Sequence, residues 1–400
     1  MNQNPTAEQF RNRLVDQITA QHPLPADVER VLRHVRREAH LPGASLADAC
    51  RDQAVTIKDN PAGPQALSCA SVPTVVAMML TQLQARSADN VLEIGAGTGY
   101  NAALLAELVG RAGHVTTLDI DADVALHART TLNQAGYPHV QIIHRNGLEG
   151  APENAPYTKI IATVGVWDVP TTWWDQLADG GRLALPLRWR GQTRSVALTR
   201  RGDTLISDSV ELCGFVPIIG QDGEKTAALN PEQTVRIHYD QDQDQDINPR
   251  TLTDLLTEPA TEAWSQTRIG GQESFDGIWL RASATDDRVC RIEVIPQAIE
   301  SGVRRPAAPA LSPALVAHGS LAYLILAREG TDPERPFCLG AAGYGPNGPA
   351  LAQDLITHIN TWGTNRTATP QIIITPVKGH TASGTERHID KQDSRITLSY

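Results

Sequence analysis

At 400 residues the chain is too long for one hydrophobic core, which stops growing at roughly 250 to 300 residues, so two domains are expected. A 41% apolar content is that of a soluble globular protein and excludes a disordered or fibrous chain. The formal net charge of −10 argues against a nucleic-acid partner, whose phosphates call for a clustered basic face.

The opening segment "MNQNPTAEQFRNRL" is polar where a signal peptide would be apolar, and no apolar run approaches the roughly 20 residues that span a bilayer. Cys50, Cys69, Cys213, Cys290 and Cys338 are scattered and form no Cys-x-x-Cys pair, so neither a zinc site nor a disulfide framework is expected. A cytoplasmic monomer without membrane or metal is the expectation. From Asp27 to Ala39, Val28, Val31, Leu32 and Val35 recur at helical spacing, and "LPG" at Leu41 to Gly43 ends the helix. Arg30, Arg33, Arg36 and Arg37 are read as its solvated side. Residues 1–60 thus form a helical segment packed on the domain that begins at residue 61.

Next comes "SCASVPTVVAMML", Ser68 to Leu80, where small residues and a proline lead into an apolar run. Ser71 is either a helix cap or a hydroxyl held beside the next motif. From Asn90 the chain alternates strand, turn and helix: "VLEIG", "YNAALLAELVG", "HVTTLDI", "ADVALHARTTLNQAG", "VQIIHRNG". Such alternation predicts an α/β fold with a mostly parallel sheet and right-handed crossovers. "KIIATVGV", a helix around Trp173 to Ala178, "GGRLALPLRWRG" and a late hairpin bring the sheet to about seven strands between Asn90 and Ile219. Residues 61–225 are therefore one domain, and the polar "QDGEKTAALNPEQ" reads as a linker.

Residues 226–400 read as an α+β domain. "TVRIHYD", "GIWLRAS", "VCRIEVI", "LAYLILARE", "PFCLGAAGYG" and "QIIITP" are predicted strands, and "GPALAQDLITHINTW" a helix. The polar tail after Lys378 is expected to fray. Asp240 to Asp246, "DQDQDQD", lacks the turn glycine and distal glutamate of a calcium loop and reads as solvated.

The glycine turn "LEIGAGTGY" carries the chemistry. Gly95, Gly97 and Gly99 follow Glu93, while a dinucleotide fingerprint would need glycine where Tyr100 stands. Glu93 disfavours a pyrophosphate and suits a cationic amine, which S-adenosylmethionine carries. Asp119 ends the next strand about 20 residues on, where a carboxylate accepts ribose hydroxyls, and Asn146-Gly147 ends the third, placed to meet adenine.

On these residues the chain resembles the protein-L-isoaspartate O-methyltransferase family, from about Asp27 to about Gly220. "VERVLRHVRREAHLPG" is similar to that family's early helix, Ser71-Val72-Pro73 to its Ser-x-Pro segment, "LEIGAGTGYNAALLAELVG" to its cofactor loop and "GGRLALPL" to a later strand. The resemblance implies a Rossmann-like class I S-adenosylmethionine-dependent methyltransferase fold. It implies Ser71 as active-site serine, with Val72 and Thr74 beside it. Glu93, Gly95, Ala96, Gly97, Thr98, Gly99, Asp119, Ile120, Asn146 and Gly147 would hold the cofactor. Thr163, Val164, Gly165 and Trp167 would shape the substrate pocket.

Two departures stand out. Asn146 in "RNG" replaces the usual Asp of "GDG", and Trp167 in "TVGVWDVP" stands where small residues are usual. The second half is expected to lack a counterpart in repair enzymes. The full layout resembles actinobacterial variants that methylate an aspartate in a constrained, ribosomally made precursor peptide, the ester then closing to an aspartimide. That implies a modified peptide as partner, recognised with help from residues 226–400; repair of isoaspartate in damaged proteins is the alternative.

Methyl transfer to a carboxylate needs no general base, because the acceptor is already ionised near neutral pH. The protein must align one oxygen and exclude water. A hydroxyl such as that of Ser71 can hold the other oxygen by a charge-assisted hydrogen bond.

Overall fold

In a computed structural model, residues 5–61, 66–240, 244–300, 306–328, 334–377 and 387–400 are described. The chain divides into two compact units: Met1–Leu187 with Arg194–Gln221, and Arg188–Thr193 with Asp222–Tyr400.

The first unit opens with α1 (Ala7–Gln21), held at its start by a capping box in which the Thr6 hydroxyl and Gln9 side chain exchange backbone hydrogen bonds. Helix α2 (Ala26–His34) buries Val28, Val31 and Leu32 as expected, but it stops short of Ala39. A separate 3-10 turn, Arg37–His40, follows and turns Arg37 inward. Of the basic set, Arg30 and Arg36 are exposed, Arg33 is half-buried and Arg37 is buried. A short helix α3 (Leu46–Ala49) leads to the hairpin of β1 (Val55–Lys58) and β2 (Ser68–Ala70), and then to α4 (Pro73–Leu83).

Strand β3 (Asn90–Ile94), α5 (Tyr100–Val109), β4 (His114–Asp119), α6 (Ala122–Ala135) and β5 (Gln141–His144) follow in the expected alternation. Then come β6 (Tyr157–Ala162), α7 (Thr171–Gln176), β7 (Leu177–Trp189), β8 (Gln192–Arg201) and β9 (Thr204–Leu212). The order across the sheet is β9-β8-β7-β6-β3-β4-β5. Strand β3 lies parallel between β4 and β6, and β8 and β9 form the antiparallel hairpin read from the sequence. The chain moves outward from β3 to β5 and returns to β6, so the order reverses beside β3. In such sheets a crevice opens at the carboxyl ends of the strands that flank the reversal.

The early helices share a hydrophobic core with the elements that follow. Leu14, Ile18, Val31 and Leu32 of the early helices pack in one cluster with Leu80, Leu104 and Val91. The second of these helices packs on α4 and α5, each buried leucine contributing about 1.5–3 kcal/mol by leaving water.

The second unit contains β10 (Glu224–Ala228), β11 (Val235–Asp240), β12 (Thr261–Ile269), α8 (Gly277–Thr285), β13 (Val289–Val294), α9 (Pro296–Glu300), β14 (Ser312–Ala317), β15 (Ser320–Arg328), β16 (Phe337–Tyr344) and α10 (Gly348–Thr364). It ends with β17 (Gln371–Pro376), β18 (His388–Asp390) and β19 (Ser394–Ser399). Seven strands form a sheet in the order β10-β11-β13-β14-β15-β16-β12, each pair antiparallel. Alternation along the strands sorts the side chains: Leu321, Tyr323 and Ile325 enter one cluster, Ala322 and Leu324 another with α8 and α10.

Four expectations are corrected by the fold. "GIWLRAS" is not a strand but α8, because Ile278, Trp279, Leu280 and Ala282 are buried without the alternation of a strand. The linker reading fails as well, since Glu224–Ala228 pairs along β11 as an edge strand and Glu224 receives Arg188 at 2.7 Å. The aspartate-rich stretch is not solvated where it is described: Asp240 accepts Lys391 Nζ at 2.7 Å and Asp244 pairs with Arg190 at 2.8 Å, all four side chains buried. Residues 241–243 of that stretch lie outside the described residues. The tail does not fray over 387–400, where β18 and β19 pair and β19 lies along β17; residues 378–386 lie outside the described residues.

Among the described residues no helix is long and apolar enough to cross a membrane. The five cysteines are free thiols.

Candidate active site

The glycine turn leaves β3 with left-handed backbone, Gly95 at φ +98° and Gly97 at φ +51°. A Cβ on Gly95 would stand 2.7 Å from Thr163 Oγ1, so glycine is what lets the loops after β3 and β6 approach. A Cβ on Gly97 would meet nothing nearer than 3.9 Å. Its backbone is bared to open space, where a ligand can come close.

That space is a cavity of about 560 Å³, within the size range of small-molecule sites. It brings together Ser71, Glu93, Gly97, Asp119, Asn146 and Thr163 from five separate loops and strand ends. Ala96, Thr98, Ile120 and Gly147 line it too, as do Gly95, Val72 and Val164.

Glu93 is fully buried and accepts Asn101 Nδ2 at 2.7 Å and the Thr117 hydroxyl at 2.6 Å. Burial pushes its carboxyl up to about 7 against the pull of those two hydrogen bonds. Asp119 Oδ2 accepts the Gly97 N–H at 3.2 Å and Oδ1 the Asp121 N–H at 3.0 Å. Burial raises this acid as well, the backbone donors opposing it. A carboxylate has about four acceptor positions, so Asp119 keeps capacity for two hydroxyls of a ligand.

Asn146 Oδ1 accepts the Leu148 N–H at 3.0 Å, capping a 3-10 turn over Gly147–Glu149. Its amide nitrogen is left to donate. The glycine turn is buttressed from behind, where His40 Nδ1 donates to the Thr98 carbonyl at 3.2 Å and the Thr131 hydroxyl donates to the same oxygen at 2.7 Å. Burial lowers His40 to about 4, so it donates as a neutral ring.

Ser71 follows β2 and precedes α4 by two positions. The residue at the helix N-cap is Val72, without a side-chain cap, so Ser71 does not cap the helix. Its half-buried hydroxyl lines the cavity and makes no hydrogen bond within the described residues.

Four of the expected residues stand outside the cavity lining. Gly99 caps α5 at φ +76°. Thr74 is taken up by Asp52, its N–H at 2.9 Å and its hydroxyl at 2.6 Å from the two carboxylate oxygens. Gly165 bridges to Pro217 and donates its N–H to the Val216 carbonyl at 2.7 Å. Trp167 is 7% exposed, packed away from the cavity, with its backbone N–H on Gln221 Oε1 at 2.9 Å. Conversely, Arg37 and Cys69 line the cavity and were missed, as were the exposed apolar side chains Leu67 and Ile219 beside it. Asn101 and Thr117 were legible only as helix and strand, although each faces Glu93.

The arrangement can hold a ligand with hydroxyls at one end and a cation at the other, beside an unengaged hydroxyl. Among the described residues there is no group of three or more metal-ligating side chains.

The family model described as protein-L-isoaspartate(D-aspartate) O-methyltransferase matches residues 9–223. A protein-L-isoaspartate O-methyltransferase of Methanocella arvoryzae is 35% identical over 191 residues, 48% of this chain and 97% of that protein. One of Rhodopseudomonas palustris is 39% identical over 194 residues, 48% of this chain and 84% of that protein. A solved structure of a protein-L-isoaspartate O-methyltransferase covers 98% of this chain and 100% of its own, with a TM-score of 0.51 and 18% identity. The second half therefore does have a counterpart in fold under that name, contrary to the expectation from sequence. The chain belongs to the protein-L-isoaspartate(D-aspartate) O-methyltransferase family, S-adenosylmethionine-dependent enzymes that methylate carboxyl groups.

Proposed function

We propose that this protein methylates the free carboxylate of isoaspartyl residues in peptides and proteins. The observation that carries the reading is one cavity at the strand reversal that holds Ser71 together with Glu93, the glycine turn and Asp119. Glu93 suits the cofactor amine and Asp119 the ribose, and bared backbone at Gly97 admits the chain between them. When bound, S-adenosylmethionine supplies a methyl group on a sulfonium, which an ionised carboxylate can take without a base. Ser71 donates its hydroxyl to the acceptor carboxylate and fixes which oxygen faces the methyl group. The buried walls exclude water from the reacting pair.

Methylation of an aspartate in a constrained ribosomal peptide uses the same chemistry on another acceptor. Trp167, which pointed away from the ordinary isoaspartyl substrate, stands outside the cavity lining, and the second half has a counterpart in fold. Initial rates of methyl transfer to an isoaspartyl peptide, its aspartyl twin and a macrocyclic aspartyl peptide separate the readings. The expected result is transfer to the isoaspartyl peptide alone. Transfer confined to the macrocycle would replace the repair reading with the other.

A further inference from the structure

Arg37 is 1% exposed and lines the cavity, a position no part of the methyl-transfer reading uses. Its Nε donates to the Ala49 carbonyl at 2.9 Å and Nη2 reaches the Gln53 carbonyl at 3.4 Å. Nη1 is buried and has no partner. No carboxylate of the described residues forms an ion pair with this guanidinium. The adjacent Glu38 pairs through Oε1 with Arg11 at 2.9 Å, and Asp52, whose charge reaches Arg37, holds Thr74 at 2.6 Å. The Tyr100 ring lies 5.3 Å from the guanidinium carbon and offsets part of the cost of burying the charge.

A buried cation without a counter-charge is costly, and an unsatisfied donor beside it adds to that cost. An arginine kept only to tie down the turn after α3 would need its two carbonyl contacts and nothing more. This one lines a cavity and keeps a buried N–H without a partner in a protein of net charge −10, and an arriving anion would resolve both deficits. The guanidinium fork matches a carboxylate in particular.

We propose that Arg37 is a carboxylate-binding residue of this cavity, with Nη1 donating to a carboxylate brought in by a ligand. The proposal rests on the methyl-transfer reading, under which two carboxylates enter: that of the cofactor's amino-acid end and that of the acceptor. The burial that lowers the Arg37 pKa is consistent with a cation awaiting its partner.

The test compares wild-type protein with Arg37→Gln and Arg37→Lys, each first shown to be folded by circular dichroism. Calorimetry gives affinities for S-adenosylhomocysteine and for 5′-methylthioadenosine, which lacks the carboxylate. Steady-state rates give KM for an isoaspartyl peptide. If Arg37 holds the cofactor carboxylate, Arg37→Gln weakens S-adenosylhomocysteine about tenfold or more and leaves 5′-methylthioadenosine unchanged. If it holds the acceptor, both nucleoside ligands bind as in wild type and the peptide KM rises by a similar factor. Arg37→Lys, which keeps the charge, should recover part of either loss.

Unchanged affinities and KM in folded Arg37→Gln overturn the proposal. Where Arg37→Gln does not fold, Arg37→Lys and the wild-type ligands decide it. The proposal then fails if neither removing the carboxylate from S-adenosylhomocysteine nor replacing the peptide's free carboxylate by an amide costs affinity. If wild-type protein transfers no methyl group to the peptide, the functional reading has failed. The S-adenosylhomocysteine comparison still decides Arg37, and no loss there overturns its assignment.

Discussion

Thr117 donates its hydroxyl to Glu93 Oε2 at 2.6 Å, across the parallel register that sets the two residues side by side on β3 and β4. With Asn101 on the second oxygen, the buried acid is held in place before any ligand arrives. Its proton is bound more tightly in the folded protein than in the unfolded chain, since burial raises the carboxyl from 4.5 to about 7. The stability this contributes is complete below about pH 4.5 and is lost as the pH rises through about 7, a swing of about 3 kcal/mol. Thermal melts of ligand-free protein between pH 5 and about 8 should show that fall, and Glu93→Gln should flatten it. An unchanged slope in Glu93→Gln would mean that Glu93 is already ionised.

Ser71→Ala should lower kcat about 10- to 100-fold with little change in affinity for S-adenosylhomocysteine. Because Ser71 does not cap α4, its loss should alter stability by less than about 0.5 kcal/mol. A drop in melting temperature with kcat intact would assign the serine a structural role.

Asp119→Asn keeps one acceptor oxygen for the backbone N–H groups but loses the charge and half the acceptor capacity. Calorimetry should find S-adenosylhomocysteine bound about tenfold or more weakly, with the fold intact. Equal affinity would remove Asp119 from the ligand contacts.

Gly95→Ala would force a side chain into φ +98° and to within 2.7 Å of Thr163 Oγ1. A loss of about 1–3 kcal/mol in denaturant unfolding is expected, with cofactor affinity falling as the turn shifts. Unaltered stability would show that the two loops yield freely.

Trp167→Phe should leave the peptide KM within about twofold of wild type, because the indole lies outside the cavity lining. A large change in KM would return Trp167 to the substrate pocket.

Much of the site was legible because its signals are local. The turn "GAGTG", Glu93 near the end of β3, Asp119 at the end of β4 and the alternation of strand with helix are local patterns, and folding leaves them where the pattern puts them. Arg37 was not legible. A continuous helix would place it with Arg30 and Arg33 on the solvated side, but α2 ends at His34 and the 3-10 turn Arg37–His40 buries Arg37 and sets His40 against the glycine turn. Thr74 follows the same logic in reverse, since its partner Asp52 comes from a distant loop. In the second unit "GIWLRAS" has a composition that fits strand or helix, and contacts with α10 decide for helix.

The most direct measurement of the central claim is mass spectrometry of an isoaspartyl peptide and its aspartyl twin, incubated with the protein and S-adenosylmethionine. The expected result is one methyl group gained by the isoaspartyl peptide only, followed by loss of methanol as the neighbouring amide closes the ring. No methyl gain on the isoaspartyl peptide, with S-adenosylhomocysteine still bound by the protein, would contradict it.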